Sequence, residues 1–121
     1  MNNQEFGKEL EFRTKKFAIS IIRLSVSLPN TTESKVIKNQ ITKSGTSVGA
    51  NYREANRSRS NADFKNKIKI SESEASETVY WLEIIEELKW IELKNLQSII
   101  KEANELLAIF TSIGNKLKQN K

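Results

Sequence analysis

Six basic side chains in the middle of the chain have the types and spacing that bind phosphate. Arg53 and Arg57 are four residues apart, so a helix would place them on one face. Residues 53 to 69 hold six Lys and Arg against Glu54 and Asp63 alone, a local excess of +4. Cationic groups that contact phosphate oxygens give affinity without reading base sequence. The pattern predicts nonspecific binding of RNA or DNA by Arg53, Arg57, Arg59, Lys65, Lys67 and Lys69.

Other kinds of chemistry lack the residues that they need. The chain has no histidine and no cysteine, which removes the usual zinc ligands, thiol nucleophiles and His-based acid–base catalysis. The glutamates between residues 72 and 87 lack the Glu-x-x-His pairs of di-metal helical bundles. Ser44 and Ser47 have no histidine base. We therefore expect a non-enzymatic protein with no catalytic residue, no metal site and no cofactor.

The charge changes sign along the chain. Residues 1 to 69 contain 14 Lys and Arg against 6 Asp and Glu, whereas residues 70 to 121 contain 6 against 9. Such a separation steers an anionic polymer to one end of a molecule and keeps it off the other. In the alternative interpretation, the basic stretch is only a solvated helix surface. The protein is then a structural or protein-interaction ring with no nucleic-acid ligand, whose acidic helix faces a protein partner.

The elements that must position these residues are helices. One proline and four glycines in 121 residues are too few for the turns of a β-sandwich or barrel. Apolar periodicity and cap signals predict four helices, at about residues 5–28, 32–57, 61–89 and 93–118. Pro29 ends the first helix, and Thr31 or Thr32 caps the second. We predict an all-α protein with a single domain, 1–121, an antiparallel four-helix bundle.

Two of the predicted helices carry a second apolar stripe. On a helical wheel the first helix has one stripe that includes Leu10, Phe17 and Ile21, and another nearly opposite. A free-standing bundle covers one stripe per helix, so the second stripes need another surface, most simply a second copy of the chain. The predicted interface between copies consists of Phe12, Ile19, Ile22, Val26, Ile70, Trp81, Ile84 and Leu88.

Two glycines interrupt the second predicted helix. Each costs a helix about 1 kcal/mol relative to alanine. Gly45 and Gly49 occupy neighbouring positions beside the apolar face, where a missing side chain lets another helix approach closely. We therefore predict a continuous helix with close packing at these glycines. The alternative is a loop that splits the helix.

The N-terminal residues and the hydropathy of the chain indicate the cellular location of the protein. The sequence from Met1 to Glu5 lacks the basic and apolar regions of a signal peptide, and no window holds 18 apolar residues. We expect a soluble, cytoplasmic protein with no membrane contact.

Three motifs together resemble a known bacterial family. They are Ser44-Gly45-Thr46-Ser47-Val48-Gly49-Ala50-Asn51-Tyr52-Arg53-Glu54-Ala55, then Asp63-Phe64-Lys65, then Glu74-Ala75-Ser76-Glu77-Thr78-Val79-Tyr80-Trp81-Leu82-Glu83. In these motifs and their spacing, the chain from about Lys15 to Leu117 is similar to the four helix bundle protein family. That family is also called the 23S rRNA intervening sequence protein or S23 family. Its name records that some members are encoded inside insertions in 23S rRNA genes, and establishes no activity.

The resemblance implies an assembly and partners. The family is similar in turn to the accessory protein of diversity-generating retroelements, a basic pentameric barrel that binds nucleic acid and a reverse transcriptase. It therefore implies that the four-helix protomer forms a closed homo-oligomeric ring, a homopentamer. The partners implied are further copies of the chain, RNA or DNA, or another protein.

The resemblance also implies roles for residues of the two central helices. Asn51 and Arg53 on one helix, with Glu74 and Glu77 on the next, are expected to form an interhelix polar network. In the alternative, Arg53 is held out toward phosphate.

Overall fold

Four helices account for nearly all of the chain that the structure, a computed structural model, describes, which is residues 2–119. They are α1 (Asn3–Val26), α2 (Thr32–Asn56), α3 (Asn61–Leu88) and α4 (Leu93–Gln119). Residues 2–119 contain no strand, which confirms the all-α prediction. Each helix begins and ends within two residues of its predicted bounds. Across the same residues, no helix has an apolar stretch long enough to cross a lipid bilayer.

Side-chain caps decide where the first three helices begin. Asn2 Oδ1 accepts a hydrogen bond from the amide of Glu5 at 2.8 Å, so α1 begins two residues before the predicted start. Thr31 caps α2 and Ser60 caps α3, each by accepting from the backbone amide three residues on, at 3.1 Å. These bonds satisfy amides that have no partner within the helix.

A left-handed residue, and no glycine, ends α3. Lys89 has φ 57° and ψ 33°, in the region that glycine usually occupies at a helix end. The amides of Lys89 and Trp90 donate to the carbonyls of Glu86 and Ile85 at 3.1 and 3.4 Å. The chain therefore reverses at the break that contains no glycine or proline, and α4 starts at the predicted residue.

The helices run up, down, up and down, and helices that are consecutive in sequence pack against each other. α1 and α4 close the bundle with a thinner contact. α1 and α3 therefore occupy opposite corners of the cross-section, as do α2 and α4. The interior contains the predicted inner stripe of α1, and Tyr52 packs edge-on against Phe110 with ring centres 5.5 Å apart.

The two glycines of α2 lie where α1 comes closest, and α2 is continuous through them. A Cβ placed on Gly45 would lie 2.8 Å from Ile21 Cγ2, and one on Gly49 would lie 2.9 Å from Thr14 Oγ1. Both α1 side chains are fully buried. The predicted close packing is confirmed, and the alternative of a loop is wrong.

Candidate nucleic-acid interface

The predicted phosphate-binding residues surround the turn between α2 and α3, but they face different grooves. Arg53 and Arg57 line the groove between α1 and α2. Lys65 and Lys69 line a cleft between α3 and α4, whereas Lys67 contacts α2. Helix geometry explains the division, since side chains two residues apart point about 200° from each other.

The groove between α1 and α2 holds charges of both signs. It has a volume of about 360 Å³, and Gly49 lies on its wall. Arg53 Nε lies 3.6 Å from Glu11 Oε1 across this groove, and about half of the Arg53 side chain is exposed (48 %). Lys15 and Arg57 also line the groove, and neither forms an ion pair with any residue in the range 2–119. Arg53 is thus paired with Glu11, whereas Lys15 and Arg57 can bind an anion without breaking an ion pair.

Lys67 is held by a carboxylate of α2. Its Nζ donates to Glu54 Oε1 at 2.9 Å, and this bond raises the pKa of Lys67 above its ordinary value. Lys67 must give up this partner before it contacts a phosphate. It is therefore a weaker candidate for phosphate binding than the sequence pattern predicted.

The cleft between α3 and α4 contains a third lysine, Lys118, which the sequence pattern did not predict. Lys65 and Lys69 of α3 meet Lys118 of α4 around a volume of about 240 Å³. Glu72 also lines the cleft, and its Oε2 accepts a hydrogen bond from Thr111 Oγ1 at 2.7 Å. Lys118 comes close to Lys65 and Lys69 because α4 runs antiparallel to α3. The spacing of residues along the sequence could not have indicated this contact.

Arg59 lies in the turn itself. Its side chain is exposed and borders a shallow surface depression with Ser58, Ser60 and Phe64. Along the chain it lies between Arg57, at the end of α2, and Lys65 on α3. We call Arg57, Arg59, Lys65, Lys69 and Lys118 the basic turn region.

The predicted network among Asn51, Arg53, Glu74 and Glu77 does not form. The Asn51 side chain donates to the carbonyl of Ser47 on its own helix at 2.9 Å. Arg53 Nε instead lies 3.6 Å from Glu11 Oε1 of α1. The expectation carried over from the family resemblance is therefore wrong for these contacts.

The register between α2 and α3 explains the missing network. Ser71 Oγ donates to the carbonyl of Val48 at 3.0 Å, and Thr78 Oγ1 lies at hydrogen-bonding distance, 2.9 Å, from Ser44 Oγ. Glu74 therefore lies level with about residue 47 of α2, nearly two helical turns from Arg53. Partial burial and the charge of Glu77 raise the pKa of Glu74, and Lys43 opposes this shift.

The predicted interface residues differ between the two helices. On α1, Phe12, Ile19, Ile22 and Val26 are exposed by 41–77 %. On α3, Leu88 is exposed by 52 %, whereas Ile70, Trp81 and Ile84 are half-buried. Trp81 packs against the core, and its indole N–H is buried without a hydrogen-bond partner in residues 2–119. Trp81 therefore belongs partly to the core of the bundle and only partly to the exposed surface, because its large ring extends over the side of the helix.

Carboxylates show no arrangement for metal binding. Within residues 2–119, no group of three or more Asp and Glu could hold a metal ion. The acidic residues of α3 point in several directions around the helix. They are therefore close together in the sequence but do not form a cluster in the structure.

Comparison with known proteins identifies the family. The family model for the 23S rRNA-intervening sequence protein matches residues 10–112. The chain belongs to this family. It is also similar to a crystal structure of a protein of unknown function from the S23 ribosomal protein family of Bacteroides thetaiotaomicron VPI-5482. The identity is 38 %, the match covers 86 % of this chain and 96 % of that one, and the TM-score is 0.79.

The match to the 23S rRNA-intervening sequence protein family confirms the resemblance that the three motifs indicated. Residues 10–112 include both glycines of α2, the α2–α3 turn and the acidic part of α3. Lys118 lies outside the matched range. No curated protein matches the chain.

Proposed function

We propose that this chain is a non-enzymatic, homo-oligomeric protein that binds RNA or DNA through phosphate groups and without sequence preference. The basic turn region is the observation that supports the proposal. None of its five cations forms an ion pair within residues 2–119. Unpaired cations bind phosphate at no cost of a broken salt bridge, and they release counterions when they bind.

The arrangement of the basic turn region suits a flexible polyanion. The groove with Arg57 and the cleft with Lys65, Lys69 and Lys118 open on either side of the turn. A backbone that crosses the turn at Arg59 contacts both. Such contacts recognise the regular spacing of phosphates, and they give no preference for particular bases.

The opposite end of the bundle carries charges of both signs. The last turns of α3 and the loop after it carry Glu83, Glu86, Glu87 and Glu92 against Lys89, whereas Arg23, Lys35 and Lys38 lie at the same end on α1 and α2. The basic turn region has the larger positive excess, so a polyanion is drawn to it in preference to this end. The family resemblance implies a closed ring of five copies. Such a ring would place every basic turn region on one rim, and simultaneous binding at several copies would raise the overall affinity.

The test measures affinity for unrelated RNA and DNA sequences over a range of salt concentrations. Replacing three cations, Arg57→Gln/Arg59→Gln/Lys65→Gln, should weaken binding to all sequences alike. The logarithm of affinity falls by about 0.7 to 0.9 per phosphate contact for each unit of log salt concentration. The loss of three contacts should therefore flatten the salt slope by about 2 to 3 per bound protomer.

A control removes the same charge at the other end of the molecule. Lys35→Gln/Lys38→Gln/Lys101→Gln changes three exposed or half-exposed lysines on α2 and α4, away from the basic turn region. This variant should bind with nearly the wild-type slope. If the wild-type protein binds neither RNA nor DNA at low salt, the nucleic-acid proposal is wrong.

A structural or protein-interaction ring is the second candidate. The observation that favours it is that Arg53 and Lys67 are already paired with Glu11 and Glu54. Equal weakening by the test variant and its control would reject the basic turn region as the binding site, because binding would then follow net charge. Absence of binding by the wild-type protein at low salt would favour the second candidate.

A further inference from the structure

The cleft between α3 and α4 concentrates positive charge in a small space. Lys65, Lys69 and Lys118 line it, and none of them forms an ion pair within residues 2–119. Among the lining residues that the structure describes, Glu72 is the single carboxylate. Three positive charges against one negative charge leave the cleft with a net charge of +2. Like charges held together repel one another, so a bound anion would stabilise this arrangement.

A hydrogen bond between α3 and α4 fixes the order of the charges along the cleft. Thr111 Oγ1 donates to Glu72 Oε2 at 2.7 Å, so these two residues lie at the same level. With a rise of about 1.5 Å per residue, Lys69 lies about 5 Å and Lys65 about 10 Å from Glu72 along α3. Lys118 is as far beyond Thr111 on the antiparallel α4, so it lies level with Lys65. The cleft is therefore most positive toward the α2–α3 turn and becomes acidic at Glu72.

The walls of the cleft leave room for a small group. Gly114 of α4 lines the cleft, and a Cβ placed on it would meet no atom within 4 Å. Leu117 lies beside it and is apolar, whereas Asn115 has an amide that donates and accepts hydrogen bonds. The volume of about 240 Å³ is below the range of about 300 to 1,000 Å³ that drug-sized ligands occupy. The cleft therefore suits one charged group and the atoms next to it.

A phosphate monoester matches the charge of the cleft. A monoester carries about two negative charges at pH 7, because its second pKa is about 6. An internal phosphate of a nucleic-acid strand carries one negative charge. The monoester therefore balances the net charge of the cleft, whereas the internal phosphate balances half of it. Lysine ammonium groups have rotatable donors on flexible stems, so three of them can surround one tetrahedral group.

Glu72 opposes the passage of a continuous strand through the cleft. A phosphate that moves along α3 past Lys69 meets the Glu72 carboxylate within about one helical turn. Thr111 comes from the opposite helix and holds this carboxylate across the cleft. The carboxylate and the phosphate repel each other. A strand end can enter from the α2–α3 turn, but continuation beyond Glu72 is unfavourable.

We infer that the cleft between α3 and α4 binds a phosphate monoester among Lys65, Lys69 and Lys118. Two sources supply this group, the phosphorylated end of an RNA or DNA strand and a free nucleoside monophosphate. For the strand end, the inference rests on the proposed function and adds a preference for phosphorylated ends. Arg57 and Arg59 then contact the strand where it leaves the cleft.

The test compares strands of one sequence that differ only at their ends. They carry a 5′-phosphate, a 3′-phosphate, a 5′-phosphate blocked as its methyl ester, or hydroxyl groups at both ends. The wild-type protein should bind a strand with a terminal phosphate about ten-fold more tightly than the hydroxyl strand, since it gains charge-assisted hydrogen bonds. The methyl ester has one negative charge and should lose most of this advantage.

Two variants locate the bound phosphate. Lys69→Gln/Lys118→Gln removes charge from the cleft, and Gly114→Leu fills the cleft without changing its charge. Leucine is a better helix former than glycine, so Gly114→Leu should fold. In both variants the advantage of the phosphorylated strand should disappear. Lys101→Gln/Lys116→Gln is the control, because it removes the same charge from exposed positions of α4 outside the cleft, and it should keep the advantage.

A competition experiment distinguishes the two sources of the monoester. Adenosine monophosphate is added to the protein bound to the phosphorylated strand, with adenosine as its control. If the monophosphate lowers the affinity for this strand to that for the hydroxyl strand at concentrations near the Kd of the strand, a free mononucleotide is sufficient. If much higher concentrations are needed, the strand end is the ligand. Both results support a monoester site, whereas equal competition by adenosine would contradict it.

Other outcomes separate this inference from the proposed function. Equal affinity of the wild-type protein for phosphorylated and hydroxyl strands would overturn the inference and leave nonspecific binding intact. A phosphate advantage that persists in both cleft variants would also overturn it, because the group would then bind elsewhere. If the phosphorylated strand binds at low salt and the hydroxyl strand does not, the cleft is supported and nonspecific binding is wrong. Failure of every strand and of the mononucleotide to bind would reject both proposals.

Discussion

At the level of single residues, Gly45 allows α1 to pack closely on α2. Its missing side chain allows Ile21 of α1, which is fully buried, to sit directly on the α2 backbone. A glycine inside a helix costs about 1 kcal/mol. The close contact with Ile21 offsets this cost, because a larger residue at position 45 would push α1 away.

We predict that Gly45→Ala destabilises the protein by up to about 2 kcal/mol, since an overpacking cost of about 1 to 3 kcal/mol is offset by a gain of about 1 kcal/mol in helix propensity. Urea unfolding monitored by circular dichroism at constant protein concentration measures the change. Gly114→Ala is the matched control, because a Cβ on Gly114 meets no atom within 4 Å. It should raise stability by up to about 1 kcal/mol. Equal effects at the two positions would contradict this account of Gly45.

At the level of helices, α1 and α4 depend on a polar clamp because their packing is thin. Arg13 Nε and Nη2 donate to both carboxylate oxygens of Glu102 at 2.7 and 2.6 Å, and Nη2 also donates to Glu105 at 2.8 Å. These hydrogen bonds raise the pKa of Arg13 above its ordinary value despite an opposing effect of burial. Two-pronged pairs of this kind are stronger than ordinary surface ion pairs.

We predict that Arg13→Gln lowers stability by about 1 kcal/mol, a value reduced for the partial exposure of all three side chains. Hydrogen exchange should accelerate most in the amides of α4 around Glu102, because α4 would separate from α1. Lys94→Gln is the control, since Lys94 pairs with Glu92 at 3.5 Å and both are largely exposed. It should change stability by less than about 0.5 kcal/mol. Uniform acceleration across all helices would argue against a local clamp.

At the level of the whole molecule, the bundle leaves an apolar stripe of α1 uncovered, which consists of Phe12, Ile19, Ile22 and Val26. Phe12 and Val26 are 65 % and 77 % exposed, so they contribute little to the stability of a single copy. In an assembly they would be buried, and each would then add hydrophobic stabilisation.

We predict that Phe12→Ser/Val26→Ser reduces the mass in solution toward 13.9 kDa while helix content stays at the wild-type level. Light scattering and circular dichroism on the same sample measure the two quantities. Leu93→Ser removes another exposed apolar residue, which is 51 % exposed and lies at the start of α4, and should leave the mass unchanged. A loss of helix content in Phe12→Ser/Val26→Ser would show that these residues support the protomer and not the contact between copies.

The amino-acid pattern alone was sufficient for the helices and for which residues of α1 face outward. Caps such as Ser60 and the periodicity of apolar residues act between near neighbours, so they can be read without knowing how the chain folds back. The end of α3 is different, because its local sequence gives no signal of the type that usually ends a helix. Lys89 adopts the left-handed conformation there, a position that glycine usually occupies.

The partners of the charged residues appear only once the helices are packed. Whether Arg53 meets Glu11 or Glu74, and whether Lys118 joins Lys65, depends on the register between helices distant in sequence. That register is set by contacts such as Ile21 on Gly45 and Ser71 on Val48. A shift of one helix by a single turn would exchange every one of these partners while leaving the amphipathic pattern of each helix unchanged.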